Sequence, residues 1–296
     1  MDIDTRSNLR FRYLMTTLSP ERTVSSIFRL RHHQKPDLVN PKTLDEKIQW
    51  MKLHYYKDNG QVKECSDKIR VRNYLKKNGL EHILTKITAI CHDPDEINWD
   101  MLPDKFVLKW NFGNGSDMVC TDKNKMDKDT VVGDLKRFQK LKFHLLAAEP
   151  QHDVEEKLLL CEEFIEPEHG NCPTAYRFLC FNGEAKYVLR NTNIEEGQPP
   201  APLLFDREWQ LQRLNRQGKE APDGFTAPKP DGIDPLFDYA GTLSKPFPFV
   251  CVSFFLEHGH GWFVGMDFSP EEIFGCGLLP ESDLLLGKMV RLPLER

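Results

Sequence analysis

The chain has 296 residues, of which 40% are apolar and 29% are charged, and its formal net charge is −5. That length allows two or three subdomains, and the composition is that of an ordinary water-soluble globular protein. The small negative charge gives no overall reason to expect a nucleic-acid partner or a membrane surface, and no apolar stretch approaches the length of a membrane span.

The first 60 residues have the spacing of helices. Residues 11–31 are basic and mildly amphipathic, which favours a packed N-terminal helix, with peripheral contact to a membrane surface as the alternative. The start of the chain lacks the apolar core of a signal peptide. Its eight cysteines form no C-x-x-C pair and are spread through apolar runs, so we expect reduced, buried thiols and a cytoplasmic protein.

Two helix starts can be placed from local signals. Thr43 and Glu46 have the spacing of a capping box, which predicts a helix from residue 44. A second helix is predicted to start near residues 66–68 and to stop at Asn78-Gly79. Residues 83–90 alternate weakly, as in a strand, and residues 95–102 resemble a short helix.

The most informative segment is an apolar run, residues 106–108, that ends in Lys109 and passes into the loop Asn111-Phe112-Gly113-Asn114-Gly115-Ser116. A strand that enters a glycine loop can bring backbone N–H groups close to a phosphate, and a lysine at its end can reach the same phosphate. The loop is not a Walker A loop, because no Gly-Lys-Ser/Thr closes it. On its own, the segment favours a surface hairpin with residues 118–120.

Strands and helices alternate in the remainder of the chain. The pattern predicts strands over residues 157–165, 176–181, 185–189, 247–256 and 261–266, and helices over 127–146 and 235–244. Residues 196–232 are rich in proline and glycine and predict a long loop with a short helical piece near Trp209, and the tail from 277 is irregular and then briefly helical. Helices followed by mixed elements indicate an α+β chain of at least two lobes.

Eight segments, taken in order, resemble the TupA-like ATP-grasp family, which is associated with teichuronopeptide and cell-surface polysaccharide synthesis. They are TLDEKIQWMKL (43–53), SDKIRVRNYL (66–75), LPDKFVLKWNFGNGS (102–116), CEEFIEP (161–167), YRFLCFNGEAK (176–186), FDREW (205–209), FPFVCVSFF (247–255) and LLPESDLLLGKMVRLP (278–293). The resemblance implies an ATP-grasp fold, in which two α+β lobes enclose a nucleotide cleft. The implied regions are a helical N-terminal extension (1–100), a small lobe with the glycine loop and hinge strand (101–165) and a large lobe (166–296).

The resemblance also implies an ATP site. Lys109 would neutralise phosphate charge. The donors to the phosphate oxygens would be the backbone amides of Gly113, Asn114, Gly115 and Ser116. The hinge strand would read adenine through its backbone, at Glu162, Glu163, Phe164 and Ile165. Lys68 would assist near the nucleotide; its alternative is a solvated lysine at a helix start. Arg177 would be the catalytic contact to a phosphate or acyl phosphate; its alternative is an ion pair with Glu163 or Glu184.

Family members typically join a carboxylate to an amine through an acyl phosphate, a reaction that uses Mg²⁺. Here the chain departs from the family's pattern, because its arginine, aspartate and glutamate positions hold Cys251, Ser253 and Gly265. Serine and glycine offer no charged oxygen to a metal. Asp267 lies two residues beyond Gly265, on the same face of a strand, and is a candidate metal ligand.

Three functions stay open at this point. The first is an ATP-dependent carboxylate–amine ligase that acts on a small-molecule, glycan or peptide acceptor in surface polysaccharide or peptide-conjugate synthesis. The second is a degenerate member that binds nucleotide or a partner without catalysis. The third is a glycosyltransferase-associated protein, suggested by the family's pathway alone. A nucleophilic Cys251 would need His258 or His260 to fold back onto it.

Overall fold

The structure, a computed structural model, describes residues 6–170, 172–192 and 201–293. The α-helices in these segments are α1 (Arg6–Leu18), α2 (Pro20–His32), α3 (Leu44–His54), α4 (Gly60–Ser66), α5 (Val71–Lys77), α6 (Lys128–Gln139), α7 (Arg216–Glu220), α8 (Ile233–Ser244), α9 (Glu271–Gly275) and α10 (Pro280–Met289). The strands are β1 (Ile87–Cys91), β2 (Phe106–Trp110), β3 (Met118–Cys120), β4 (Leu159–Glu163), β5 (Ala175–Phe181), β6 (Glu184–Thr192), β7 (Ala201–Phe205), β8 (Leu211–Gln212), β9 (Phe249–Glu257) and β10 (His260–Asp267).

The strands form two antiparallel sheets, which confirms the predicted α+β class. The small sheet has the order β1-β4-β2-β3, and the large sheet has the order β10-β9-β5-β6-β7-β8. Among the described helices, none combines the length and the hydropathy of a transmembrane span.

The two faces of the small sheet differ in character. Phe106, Leu108 and Trp110 pack with residues of β4 and α6 in one apolar core. Because side chains alternate along a strand, Val107 and Lys109 lie on the opposite face. Glu162 pairs with Val107 across the ladder, so it shares that face with Lys109. The sheet therefore presents a buried charged pair on the side away from its own core.

The large sheet is also two-sided. Helix α8 covers one face, where the rings of Phe178 and Phe237 meet edge to face at 4.8 Å. The opposite face carries Arg177, Ser253 and Gly265 in register on three neighbouring strands. These three residues, predicted to lie near the chemistry, are therefore adjacent in the fold.

Helices α3, α4 and α5 pack in the core of the large sheet. The capping box at Thr43 and Glu46 is present, as predicted. Apolar residues of α3, α4 and α5 belong to the same core as β5, β6 and β9, whereas β1 joins the small sheet. The three-region division at residues 100 and 165 remains a proposal.

Several local predictions need correction. The helix expected from residues 66–68 begins at Val71, because the Asp67 side chain accepts hydrogen bonds from the amides of Ile69 and Arg70 and holds a turn there. The expected long loop after residue 196 contains β7, β8 and α7, and residues 193–200 lie outside the described ones. Prolines suggested a loop, but Leu203, Leu204 and Phe205 are buried beside β6. The helix predicted over residues 127–146 ends at Gln139.

Candidate functional site

Lys109 and Glu162 form a buried ion pair beside the glycine loop. The Nζ atom of Lys109 lies 2.8 Å from Oε2 of Glu162, and Arg72 approaches the other carboxylate oxygen at 3.4 Å. Burial alone would lower the pKa of Lys109, but Glu162 and Asp117 outweigh it and raise the pKa. Lys109 therefore stays charged, and Glu162 engages only one of its three N–H groups.

Asn111 fixes the root of the glycine loop. Its side-chain amide donates to Oδ2 of Asp67 at 2.8 Å and to the carbonyl of Glu156 at 3.0 Å, while its Oδ1 accepts from the amide of Leu158. Its backbone carbonyl accepts from the amide of Lys68 at 2.9 Å. The loop thus leaves β2 from an anchor whose polar atoms are all used.

Lys68 holds the loop from the same side. Its Nζ donates to the carbonyls of Trp110 at 3.1 Å and Gly113 at 2.6 Å. Burial lowers the pKa of this lysine, and Asp117 and Glu162 partly oppose the shift. The alternative of a solvated helix-start lysine is wrong, because no helix starts here and the amine is bonded to the loop. Any effect of Lys68 on a nucleotide would pass through the loop it shapes.

Gly113 has a positive φ of 67°, and a Cβ there would lie 2.7 Å from the ring of Phe143. Its amide donates to Nδ1 of His152 at 3.4 Å. That amide, one of the four predicted phosphate donors, therefore has an acceptor within the protein. Glycine is required because no side chain fits between the loop and Phe143.

The other three predicted donors are free. Within the described residues, the amides of Asn114, Gly115 and Ser116 form no hydrogen bond. The hydroxyl of Ser116 is buried and also has no partner. A buried polar atom without a partner costs about 1–3 kcal/mol, so this hydroxyl is suited to a ligand that brings an acceptor. Consecutive free amides in a loop that follows a buried lysine are suited to binding an anion.

His152 gives this loop a measurable dependence on pH. Burial lowers its pKa from the ordinary 6.5 to about 4, so the ring is neutral at pH 7 and Nδ1 can accept from Gly113. Below pH 6.5 the His152 ring binds a proton in the unfolded chain but stays neutral in the folded chain. The free energy of unfolding therefore falls as the pH drops towards 4. The expected loss is roughly 3 kcal/mol, at 1.36 kcal/mol per pKa unit.

His152→Asn keeps an acceptor for Gly113 but does not titrate in this range. Urea unfolding measures the free energy of unfolding of both proteins from pH 7 to pH 4. The difference between the parent and the variant should change by roughly 3 kcal/mol over this range, to the disadvantage of the parent at low pH. A constant difference across the range would contradict the assignment of a neutral, buried His152.

The predicted hinge, residues 162–165, begins in the last two residues of β4 and continues beyond the strand. Glu163 is the last residue of that strand to pair with β2, opposite Phe106, so Phe164 and Ile165 lie beyond the ladder. The amide of Glu163 already donates to the carbonyl of Lys86, and its side chain accepts from the amide of Lys86. Backbone contacts to adenine are thus a prediction for Phe164 and Ile165 in particular.

Asp267 connects the glycine loop to the large sheet. Its Oδ2 accepts from the side-chain amide of Asn114 at 3.1 Å, and its Oδ1 accepts from the amide of Ser269 at 2.8 Å. Burial, together with the nearby Glu149, raises the pKa of this carboxyl to about 7. The contact places the loop against the sheet face that carries Arg177, Ser253 and Gly265.

Arg177 pairs with neither of the acids suggested by the sequence. Its Nη2 lies 3.4 Å from Glu272 on α9, a long and half-exposed contact, whereas Glu184 pairs with Lys186. Glu272 lies in the short segment that directly follows the last strand, β10. The acids of that segment were therefore further candidates for the partner of Arg177. The guanidinium is held loosely enough to take a second anionic partner.

The residues on this face do not fit a carboxylate-bound magnesium ion. Among the described residues, no three His, Cys, Asp or Glu side chains lie close enough together to hold a metal. Ser253 and Gly265 offer no charge, and both oxygens of Asp267 already accept hydrogen bonds. Magnesium prefers several hard oxygen ligands, which this set does not provide.

Cys251 is not a nucleophile. The thiol is buried, and burial together with Asp267 raises its pKa well above the ordinary value. His258 and His260 are exposed in the β9–β10 turn, where His260 packs against Trp262. A reactive thiol needs a lowered pKa and an accessible sulfur, and Cys251 has neither.

The structure contains a second buried ion pair, which was not predicted from the sequence. The Nζ of Lys52 on α3 lies 3.1 Å from Glu149, and both side chains are buried close to His152 and Asp267. Burial would raise the pKa of Glu149, but Lys52 outweighs it and lowers the pKa. Lys52 lies four residues after the buried Ile48 on α3, and this spacing is a local signal that could have indicated its burial.

The sequence model of the family described as TupA-like ATPgrasp matches residues 46–291. No curated protein sequence matches the chain significantly.

Solved structures of ligases resemble the chain weakly. The D-alanine–D-alanine ligase of Bacillus anthracis complexed with ATP is 14% identical, with a TM-score of 0.45, over 75% of this chain and 64% of its own. The L-amino acid ligase of Bacillus licheniformis is 12% identical, with a TM-score of 0.49, over 99% and 64%. The chain thus spans about 64% of the length of each of these two proteins. The ligase PsnB, with its minimal precursor, Mg and ADP, is 13% identical, with a TM-score of 0.41, over 93% and 72%.

Proposed function

Because the chain belongs to the TupA-like ATP-grasp family, we propose that it binds ATP between its two sheets and uses it to join a carboxylate to an amine. Family membership confirms the resemblance drawn from the eight ordered segments and the ATP-grasp fold that it implied. The reaction, its substrates and the site residues are the proposal.

The free donors of the glycine loop carry this proposal. The amides of Asn114, Gly115 and Ser116 and the hydroxyl of Ser116 have no hydrogen-bond partner among the described residues, in the loop that follows Lys109 along the chain. These groups offer hydrogen bonds and positive charge to a polyphosphate, and the loop root is fixed before ligand binds. Phe164 and Ile165, beyond the β4 ladder, are the proposed backbone contacts to adenine.

In such a ligation, the terminal phosphoryl group of ATP passes to a carboxylate with release of ADP. The amine then attacks the acyl phosphate, and phosphate leaves as the amide forms. Arg177 is the proposed catalytic residue, because its guanidinium can pair with the phosphoryl oxygens on the sheet face that Asn114 contacts through Asp267. No step is assigned to magnesium, because the residues of this face do not fit it.

The acceptor and the pathway are proposed from the family resemblance alone. The acceptor is a small molecule, glycan or peptide with a free amine or carboxylate. The pathway is surface polysaccharide or peptide-conjugate synthesis.

A second candidate function is nucleotide binding without turnover. Ser253 and Gly265 favour it, because they stand where the family's pattern has acids and leave the reaction without a charged metal site. The glycine loop does not depend on those two positions. The two functions therefore agree on ATP binding and differ in catalysis.

Thermal unfolding with a non-hydrolysable ATP analogue tests the shared part. At about a hundred times Kd, the ligand should stabilise the protein by about 2.7 kcal/mol. Phosphate release from ATP, measured with pools of amino acids and amino sugars, then separates the two candidates. Stabilisation with turnover supports the ligase, stabilisation without turnover supports the binding protein, and no stabilisation contradicts both.

A further inference from the structure

Helix α1 has two opposed faces. Thr16, which is buried, hydrogen-bonds to the carbonyl of Leu145, and the hydroxyl of Tyr13 accepts from the amide of Lys142. These contacts dock one face on the segment after α6, and α2 packs beside the helix. At about 100° per residue, Phe11, Leu14 and Leu18 project on the side away from Tyr13 and Thr16.

That outer side is apolar and fully open. Phe11 is 63% exposed, Leu14 is 56% exposed and Leu18 is 73% exposed. They account for three of the ten large apolar side chains that are exposed in the described parts of the chain, and another, Leu30, is on α2. Scattered exposed leucines are normal, but three on one side of a 13-residue helix form a stripe.

Arginines border this stripe. Arg10 and Arg12 fall on its two sides, and Arg22 and Arg29 are exposed on α2. None of the four has an ion-pair partner within the described segments, whereas Arg31 is bound to Asp45 and Glu271. The hairpin of α1 and α2 carries six arginines and one glutamate, in a chain whose net charge is −5.

We propose that the outer face of α1, formed by Phe11, Leu14 and Leu18 with Arg10 and Arg12, binds an anionic lipid bilayer surface. The apolar stripe enters the boundary between headgroups and acyl chains, and the arginines contact the anionic headgroups. Because the α1–α2 hairpin is positively charged and the whole chain is negative, the remainder of the chain carries a larger negative charge. An anionic membrane therefore attracts the hairpin and repels the remainder, which orients the outer face of α1 towards the lipid.

Charge decides between a bilayer and a second copy of the chain. Two copies that met through this face would bring the arginines of both helices together, and like charges across an interface oppose association. An anionic lipid surface complements the same arginines and accepts the apolar stripe without a shaped groove. This face of α1 is separate from the proposed ATP site, because no hydrogen bond or ion pair among the described residues joins its five side chains to the glycine loop.

Sedimentation with vesicles tests the proposal. The full chain should bind vesicles of phosphatidylcholine with 30–40% phosphatidylserine, about tenfold or more tighter than vesicles of phosphatidylcholine alone, and the difference should shrink as salt is raised. The triple variant Phe11→Ala, Leu14→Ala, Leu18→Ala should bind about a hundredfold more weakly. These side chains are exposed, so the fold and the nucleotide response should be unchanged.

The matched control is Val39→Ala with Met101→Ala, which removes exposed apolar side chains elsewhere. It should bind vesicles as the parent does. Equal binding to neutral and anionic vesicles, no binding to either, or an unaffected triple variant would each overturn the proposal. A parent dimer that the triple variant abolishes, without vesicle binding, would assign the stripe to self-association instead.

Discussion

Lys109→Met should weaken the binding of an ATP analogue by about 10- to 100-fold, which is the usual worth of one hydrogen bond to a charged group. The substitution keeps most of the buried stem and removes the charge near the end of the strand that enters the loop. Isothermal titration with the analogue measures the effect. Lys125→Met, at an exposed lysine after β3, is the matched control and should bind as the parent does.

Lys109→Met also removes the closest ion-pair partner of the buried Glu162, leaving Arg72 at 3.4 Å, and breaking a buried pair can cost about 3–5 kcal/mol of stability. The double variant Lys109→Met with Glu162→Gln removes the unpaired charge and should recover most of that loss. Its affinity for the analogue should remain low. Recovery of both stability and affinity would show that the lysine serves the fold and not a phosphate.

Ser253→Asp with Gly265→Glu should create a magnesium response that the parent lacks. The two positions are paired neighbours on β9 and β10, and a Cβ added at Gly265 meets nothing within 4 Å. Two carboxylates close to a divalent cation are worth several kcal/mol even at an effective dielectric of about 20, so the apparent Kd for Mg²⁺ should fall by about a hundredfold or more.

Titration of Mg²⁺ into the complex with the ATP analogue measures this change. The neutral variant Ser253→Asn with Gly265→Gln has similar shape and should respond as the parent does. A parent that already shows strong magnesium dependence would contradict the expectation. It would mean that other residues supply the ligands and would favour the working ligase over the binding protein.

Features that depend on neighbours in sequence could be predicted. The capping box at Thr43 and the strand that carries Lys109 into the glycine loop each follow from a few adjacent residues. Their geometry is set by local hydrogen bonds and by the freedom of glycine, so the pattern and the structure agree.

Features that depend on distant partners could not be predicted. Three contacts of the glycine loop form only after folding: Lys68 with Gly113, His152 with Gly113, and Asn114 with Asp267. The local sequence around one partner does not indicate which distant residue it will contact. The same limit explains β7, since Pro202 suggested a loop while burial against β6 decided the strand. Arg177 was expected at a phosphate, with Glu163 or Glu184 as the alternative partner, and in the fold its acidic partner is Glu272.

The central claim is that Lys109 and the loop of residues 113–116 hold the phosphates of ATP. A crystal structure of the protein with a non-hydrolysable ATP analogue tests it most directly. We expect phosphate oxygens within hydrogen-bonding distance of Lys109 Nζ, the Ser116 hydroxyl and the amides of Asn114 and Gly115. A nucleotide bound elsewhere, or a loop still unliganded at saturating analogue, would contradict the account.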